Sequence, residues 1–263
     1  MDKMIWQLEN QMILADVVLV STESLRQKVL EFNKEVIIKK NFLPTKLNIE
    51  NNQFIPIERD FYRNPKLNIG ICGSISHVND WLSISNQIQR LLQDKFITDN
   101  CNFIISGYSD NNEHTKKIWD KIVNIFTSKN IKPIINKSKP THEYMELYKE
   151  IDILLIPLEQ NQFNKYKSEL KILESGIQNI IPICNNQMYL NKIPKDCYIE
   201  TQNYYKTLLD LIKLWKKDQF HFQNLQRNLR LNILDYNNKS ETQTISQLHH
   251  LIQSLVNNEQ LEN

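Results

Sequence analysis

The chain has 263 residues, which is enough for one large or two modest domains with hydrophobic cores. Its 41% hydrophobic and 24% charged residues are ordinary for a soluble globular protein, and its formal net charge of +2 argues against a nucleic-acid partner. The first residues, MDKMIWQLENQMILAD, carry charges throughout and are typical of neither a signal peptide nor a membrane span. We therefore expect a cytoplasmic protein, either free or at the periphery of a membrane.

The residue types that bind metals or form disulfides are scattered along the chain. The four cysteines lie far apart, and Cys72 and Cys184 stand inside apolar runs, so we expect buried, reduced thiols. There is no Asp-x-Asp sequence, and only His249 and His250 are adjacent, which directs them to different faces of a helix. The sequence therefore predicts neither a metal site nor a cofactor.

Short apolar runs alternate along the chain with amphipathic segments of helical length. The strand-like runs are VVLV (17–20), VIIKK (36–40), LNIGIC (67–72), NFIIS (102–106), IKPII (131–135), DILLIP (152–157) and NIIPIC (179–184). Helices are predicted near 22–32, 79–95, 112–128, 141–149 and 167–177, and three further helical segments follow from about 201. This alternation predicts an α/β fold with a Rossmann-like parallel sheet and a helical C-terminal tail.

The alternation of strand-like and helical segments is interrupted at residues 43–66, which contain three prolines, several asparagines and no clear periodicity. We interpret residues 46–66 as a linker between domains. Residues 1–45 then form an incomplete N-terminal lobe, residues 67–200 a Rossmann-like domain with five predicted strands, and residues 201–263 the helical tail.

Glycine is rare, with four residues where average usage of about 7% would give roughly 18. A chain this depleted keeps glycine mainly where a side chain does not fit. Gly70, Gly73 and Gly107 lie within or just after predicted strands, where ligands bind in parallel α/β sheets.

Two loops at these strand ends are candidates for a binding site. In GICGSISHVND (70–80), free N–H groups at Gly73 and Ser74 would suit a phosphate, although a plain turn with Asn79 or Asp80 capping the next helix fits equally well. In SGYSDNNEH (106–114), a polar turn with Asp110 or Asn112 as helix cap is favoured over a pocket wall.

The third candidate is IPLEQNQFNKYKSELKILESG. In a helix from about Asn164 to Ile177, Lys167, Lys171 and Glu174 share one face by their i, i+4, i+7 spacing. Lys167 and Ser168 would then suit a diphosphate and Glu174 the hydroxyls of a ribose. The alternative is an exposed helix face with a Lys171–Glu174 surface pair, and the spacing alone leaves both open.

The segment DILLIPLEQNQFNKYKSELKILESG resembles the donor-binding stretch of retaining GT-B glycosyltransferases of the group 1 type. The elements of that motif are Asp152, Pro157, Leu158, Asn161, Phe163, Asn164, Lys167, Ser168, Lys171 and Glu174. IGICGSISHVNDW is similar to the glycine loop that opens the second domain of this family. ADVVLVSTESLRQKVLEF followed by EVIIKKNFLP is similar to the end of its first domain.

The resemblance assigns ten residues to a donor site and leaves the catalytic residues unknown. It implies that Lys167 and Ser168 contact the diphosphate and Glu174 the ribose, with Lys171 also among the donor-binding residues. Backbone groups of Phe163 and Asn164 would face the donor sugar, Gly73 and Ser74 would border the phosphates, and His77 and Asp80 would face the cleft.

The sequence departs from the family pattern at two positions, and the resemblance spans only part of the family's length. Tyr166 replaces the first glutamate of an E-x7-E motif, and Asn179 replaces the usual glycine as a left-handed helix cap. The resemblance runs from 13 to about 255 and begins at the last strand of the first domain, so we expect most of that domain to lie outside this chain.

The function implied is metal-independent hexosyl transfer with retention, from a UDP- or GDP-linked sugar to a glycan, lipid-linked glycan or protein acceptor. The alternative is a non-catalytic donor-binding or structural subunit that completes an enzyme with a partner chain or as a homodimer. A nucleotide-sugar epimerase shares the two-domain fold, but the Phe-Asn-x-x-Lys-Ser string disfavours it.

Overall fold

The computed structural model describes residues 2–43, 65–185 and 192–261. Its helices are α1 Asp2–Leu14, α2 Glu23–Val29, α3 Val78–Leu82, α4 Ser85–Gln93, α5 Lys95–Asn100, α6 Glu113–Ile125, α7 Gln162–Lys165, α8 Leu170–Ile177, α9 Tyr204–Lys217 and α10 Gln219–Leu261. Its strands are β1 Val18–Val20, β2 Val36–Ile38, β3 Leu67–Cys72, β4 Cys101–Tyr108, β5 Ile134–Lys137, β6 Ile153–Ile156, β7 Ile181–Cys184 and β8 Ile199–Glu200. Short 3₁₀ helices occur at Ile75–His77, Thr141–Tyr148 and Lys195–Cys197. The linker predicted at 46–66 lies, apart from its last two residues, outside the described residues.

The strands form two parallel sheets. β1 pairs with β2, and the other six strands are ordered β5-β4-β3-β6-β7-β8. The predicted α/β fold and parallel sheet are therefore confirmed. Strand β8 was not predicted, because two residues paired at the sheet edge leave no apolar run in the sequence. From β3 the chain adds β4 and β5 on one side and then crosses back to add β6, β7 and β8 on the other side. The junction between β3 and β6 is therefore the switch point of the sheet.

The six-stranded sheet is buried on both faces, as its continuous apolar strands require. Alternate residues of each strand point to opposite sides, so Ile71 packs with helices α4, α6 and α9, whereas Cys72 packs with α8 and α10. Cys72 and Cys184 are buried and free of disulfides, as predicted, and burial raises the pKa of the Cys72 thiol to about 11.

Helix α1 leaves most of its apolar side chains in solvent. Of the α1 side chains that the structure describes, only Met12 packs against the small cluster of Val20, Val29 and Val36. The Asn33 amide donates to the carbonyls of Met12 and Ala15. The exposed apolar side chains of this helix are Met4, Ile5, Trp6, Leu8, Ile13 and Leu14. No helix within the described ranges is long and apolar enough to cross a membrane.

The helical tail contains two helices where three segments were expected, because α10 continues for 43 residues. It packs directly on α8: a Cβ added at Gly176 would lie 1.9 Å from Cδ1 of Ile233. The last helix thus supports the back of α8, whose front carries Lys171 and Glu174.

Candidate functional site

An open cavity of about 320 Å³ lies at the switch point of the sheet. The segments that follow β3 and β6 form its walls, together with one face of α8 and Tyr144 from the 3₁₀ helix Thr141–Tyr148. Its lining residues are Gly73, Ser74, His77, Tyr144, Leu158, Lys167, Ser168, Leu170, Lys171 and Glu174. We call it the switch-point cavity. Seven of the ten predicted site residues line it, although they come from segments about ninety positions apart.

The continuous helix predicted from 164 to 177 is wrong, because a turn at 166–169 separates α7 from α8. The Lys192 amine donates to the carbonyls of Lys165 (3.0 Å) and Lys167 (2.6 Å), which in a continuous helix would accept from later backbone amides. Lys167 therefore lies on a turn ahead of α8, and only Lys171 and Glu174 share one helix face.

Asp80 joins four groups beneath the cavity. Its Oδ2 accepts from His77 Nδ1 (2.9 Å) and pairs with Lys167 Nζ (3.1 Å), while its Oδ1 accepts from the Asn164 amide (2.5 Å) and the Glu159 backbone N–H (2.9 Å). Asp80 is 2% exposed and lies inside α3, so the alternative that it caps this helix is wrong. The carboxylate acts as the anchor of the site.

Burial and hydrogen bonding set the charges of this group. Burial works to raise the pKa of Asp80, but hydrogen bonds from His77, the Glu159 N–H and Lys167 hold it below its usual value. Burial lowers the pKa of His77, and the nearby Lys171 and Lys167 add to that effect, while the hydrogen bond that His77 donates to Asp80 opposes it. Asp80 is thus ionised near neutral pH, and His77 favours the neutral form.

Lys171 lies directly over Gly73. Its amine donates to the Cys72 carbonyl (2.5 Å), and a Cβ added at Gly73 would lie 2.8 Å from Lys171 Nζ. Gly73 has a φ of +148°, which disfavours any other residue. Its N–H donates to the Ser106 carbonyl (3.1 Å), so the free Gly73 amide expected from the sequence is already used.

Glu174 is 7% exposed and accepts a 2.6 Å hydrogen bond from the Tyr148 hydroxyl. Burial raises its pKa, while Lys171 and Tyr148 oppose that shift. The alternative of an exposed Lys171–Glu174 surface pair is therefore wrong. Tyr144 and Tyr148 were missed as site residues, although an α-helix of the kind predicted near 141–149 would place them on one face. In the structure they lie on a 3₁₀ helix with their hydroxyls 3.4 Å apart.

Phe163 and Asn164 do not line the cavity. Phe163 is 68% exposed, and Lys167 Nζ lies 5.2 Å from its ring centroid. The Asn164 side chain is buried against Asp80 and the Glu159 carbonyl (2.9 Å). Ser168 does line the cavity, and its hydroxyl accepts from Asn41 (2.7 Å), which ties the N-terminal segment to the site.

The loop at 106–114 follows its favoured interpretation as a polar turn. Asn112 caps α6 by accepting from the Thr115 N–H (2.8 Å), and no residue of the loop lines the switch-point cavity. Gly107, with φ +102°, allows the close approach of β4 to the Gly73 carbonyl. Among the described residues, no group of three or more His, Cys, Asp or Glu side chains is placed to hold a metal ion.

No protein-family profile and no curated protein matches the sequence. Solved structures do match the fold. TarM matches with a TM-score of 0.61 at 13% identity, over 94% of this chain and 45% of TarM. Sucrose-phosphate synthase from Thermosynechococcus elongatus matches at 0.60 and 12% identity, over 97% and 63% of the two chains. The Anabaena protein HepE, solved with UDP-glucose, matches at 0.56 and 9% identity, over 90% and 64%.

This chain therefore spans about half to two thirds of the length of the solved proteins that it matches. The similarity extends from the N-terminal segment through the six-stranded sheet to the helical tail. The described chain has the α/β fold of GT-B glycosyltransferases, of which it spans part.

Proposed function

We propose that the chain binds a nucleotide-sugar donor in the switch-point cavity and takes part in glycosyl transfer. The observation that carries this proposal is the meeting of Lys167, Lys171, Ser168 and Glu174 in one cavity at the carboxyl ends of β3 and β6. Small-molecule sites in open α/β sheets lie at this junction, and a volume of about 320 Å³ falls in their usual range.

The charges in the cavity favour a diphosphate. The charge of Lys167 is balanced by Asp80, whereas Lys171 forms no ion pair with any described residue. An incoming diphosphate would take the Lys171 amine from the Cys72 carbonyl and compete with Asp80 for Lys167. Both lysines would then form charge-assisted hydrogen bonds, which are stronger than neutral ones.

Glu174 suits the ribose end of the same ligand. A carboxylate that keeps one hydrogen bond from Tyr148 has further lone pairs to accept from two vicinal hydroxyls. Its burial makes an unpaired charge costly, so ribose hydroxyls would relieve that cost. UDP- or GDP-linked sugars meet both requirements.

In the transfer step, the bond between the anomeric carbon and the diphosphate breaks and a bond to the acceptor oxygen forms. Negative charge then grows on the diphosphate, where Lys167 and Lys171 would stabilise it in place of a metal ion. We infer retention of configuration from the resemblance of the motif to retaining enzymes. The proton of the acceptor hydroxyl would pass to the departing diphosphate or to a group outside the described residues.

A second candidate is a donor-binding subunit that acts with a partner chain. The exposed apolar face of α1 favours it, since Trp6 is 64% and Leu14 82% exposed. Apolar patches of this kind mark interaction surfaces. Measuring hydrolysis of UDP-glucose and GDP-mannose by the isolated chain separates the two candidates, because binding without turnover would favour the subunit.

The donor site is tested by thermal unfolding with UDP, GDP, ADP and CMP. At about a hundred times the dissociation constant, a nucleotide adds about 2.7 kcal/mol to the free energy of unfolding. For a chain of this size the melting temperature would rise by roughly 5–10 °C. One nucleotide should give this shift in the wild type and lose it in Lys167→Ala.

The matched control is Lys165→Ala, which removes an exposed lysine two positions away. It should keep the wild-type shift, because the Lys165 side chain does not line the cavity. A wild type that responds to none of the four nucleotides would refute donor binding by this chain alone.

A further inference from the structure

A second concave site lies where the N-terminal segment, the 166–169 turn and α10 meet. Two adjoining cavities of about 380 and 270 Å³ share the side chains of Lys40 and Lys192. The larger one, which we call the Lys40 cavity, is completed by Ile193, Pro194, Lys195, Tyr198 and Tyr236. None of these residues lines the switch-point cavity, so the two sites are separate.

The Lys40 cavity carries positive charge that ion pairs within the described ranges balance only in part. Lys195 pairs with Glu200 at 3.6 Å, whereas Lys40 and Lys192 form no ion pair with any residue in the described ranges. Lys40 Nζ lies 5.3 Å from the ring centroid of Tyr236. Burial lowers the pKa of Lys192, so its charged form is held at a cost that an anion would offset.

Hydrogen-bond donors remain on both amines. Lys192 uses two of its three N–H donors on the carbonyls of Lys165 and Lys167, which leaves one. Lys40 donates to no side chain or carbonyl of the described residues, so all three of its N–H groups remain. Together the two amines offer four N–H donors, enough to bind more than one oxygen of a phosphate group.

Two carboxylates line the smaller cavity, and each has a hydrogen-bond partner other than Lys40 and Lys192. Glu169 is 2% exposed and accepts from the Tyr236 hydroxyl at 2.7 Å, and burial raises its pKa. Glu23, at the rim of the smaller cavity, pairs with Arg26 at 3.5 Å and accepts from Gln27 at 2.6 Å. Neither carboxylate forms an ion pair with Lys40 or Lys192, but the Glu169 carboxylate attracts both amines from beyond ion-pair distance and offsets part of their charge.

We propose that the Lys40 cavity binds a phosphate-bearing small molecule through the amines of Lys40 and Lys192. A phosphate carries a charge of about −1.5 to −2 near neutral pH, which matches two lysines. This proposal does not depend on the donor site. Because Lys192 also holds the turn that presents Lys167, a ligand here would act on the same turn as a ligand in the switch-point cavity.

The experiment is equilibrium dialysis of labelled inorganic phosphate against Lys167→Ala/Lys171→Ala, in which the switch-point cavity has lost both amines. Phosphate should still bind to this variant. Adding Lys40→Ala should weaken binding by at least about tenfold, since it removes one of the two amines that line the cavity without an ion pair to any described residue. Lys40→Arg in place of Lys40→Ala should keep most of the phosphate affinity. Lys213→Ala, on the exposed face of α9, should leave the phosphate affinity unchanged.

The same comparison in the wild-type background guards against a double variant that does not fold: Lys40→Ala should lower the number of bound phosphates by one. No binding in the Lys167→Ala/Lys171→Ala background, with its melting transition intact, would overturn the proposal. Equal affinity with and without Lys40→Ala would also overturn it. Glycerol 3-phosphate serves as a second probe: tighter binding than inorganic phosphate indicates a phosphorylated metabolite, and equal binding indicates free phosphate.

Discussion

Lys167 and Asp80 stand 87 positions apart in the sequence and form an ion pair with Nζ 3.1 Å from Oδ2. The Asp80 side chain is 3% exposed and that of Lys167 20%, so the pair is largely removed from solvent. It joins the segment after β3 to the turn after α7. The two walls of the switch-point cavity are therefore held together by one carboxylate.

Asp80→Asn should lower the free energy of unfolding by about 3 kcal/mol, because it leaves a partly buried lysine without its counter-charge. The new amide would also bring an N–H group to face donors from Lys167 or Asn164. Urea unfolding measures the loss. Asp110→Asn, which breaks the exposed pair with Lys137 (3.0 Å), is the control and should cost less than about 1 kcal/mol. Equal losses would contradict the anchoring role.

The stability that depends on His77 should decline in acid. Burial lowers the pKa of His77 below its ordinary 6.5, so the unfolded chain takes up this proton first as pH falls. The contribution is present above pH 6.5 and is lost below it. The free energy of unfolding of wild type minus that of His77→Gln should thus decrease between about pH 7.5 and pH 5.5 in urea titrations.

This difference isolates His77 because Glu169 and Glu174 are common to both proteins. Burial raises the pKa of both glutamates, so their contributions are largest in acid and decline as pH rises. Their effect has the opposite sign and cancels in the subtraction. A difference that stays constant across the titration would count against a buried, neutral His77.

Tyr148→Phe should destabilise the protein by about 1–3 kcal/mol, because it leaves the buried Glu174 carboxylate without its 2.6 Å hydrogen bond. The aromatic ring is kept, so packing changes little. Tyr205→Phe is the matched control, since it removes a 2.7 Å hydrogen bond to the less buried Asp94. Guanidinium unfolding of both variants compares them, and a greater loss in Tyr205→Phe would contradict the burial argument.

Gly176→Ala should destabilise by about 1–3 kcal/mol through overpacking, since the added Cβ would lie 1.9 Å from Ile233 Cδ1. Ile233→Val removes that methyl group. The double variant should therefore be more stable than the sum of the single losses predicts, by more than about 0.5 kcal/mol. Additive losses in a double-mutant cycle would show that α8 and α10 do not meet at this point.

Much of the sheet follows from periodicity in the sequence. All seven predicted strands exist. Continuous apolar runs such as LNIGIC are buried on both sides only in a parallel sheet covered by helices on both faces. The left-handed conformation of Asn179, with φ 69°, also follows from its place after the last turn of α8. The edge strand β8 escaped prediction, since it pairs through only two residues.

The candidate site could be predicted less completely, because its geometry depends on distant side chains. The spacing of Lys167, Lys171 and Glu174 indicated one helix face. In the structure the Lys192 amine donates to the carbonyls of Lys165 and Lys167, which therefore do not accept helical hydrogen bonds. Nothing local to the 166–169 turn reveals this. The anchoring role of Asp80 likewise depends on partners up to 87 positions away.

Eight residues of α10, from 230 to 237, hold together parts of the molecule made much earlier in translation. Arg230 donates to the Ile177 carbonyl (2.8 Å), Asn232 to that of Asp196 (2.9 Å), and Asn237 exchanges two hydrogen bonds with the backbone of Leu43. Synthesis runs from the N-terminus, so every lining residue of the three cavities except Tyr236 leaves the ribosome before this segment does. A nascent chain that ends near residue 200 contains the whole switch-point cavity but not the support behind α8. Completion of the site during biosynthesis therefore waits for the last helix.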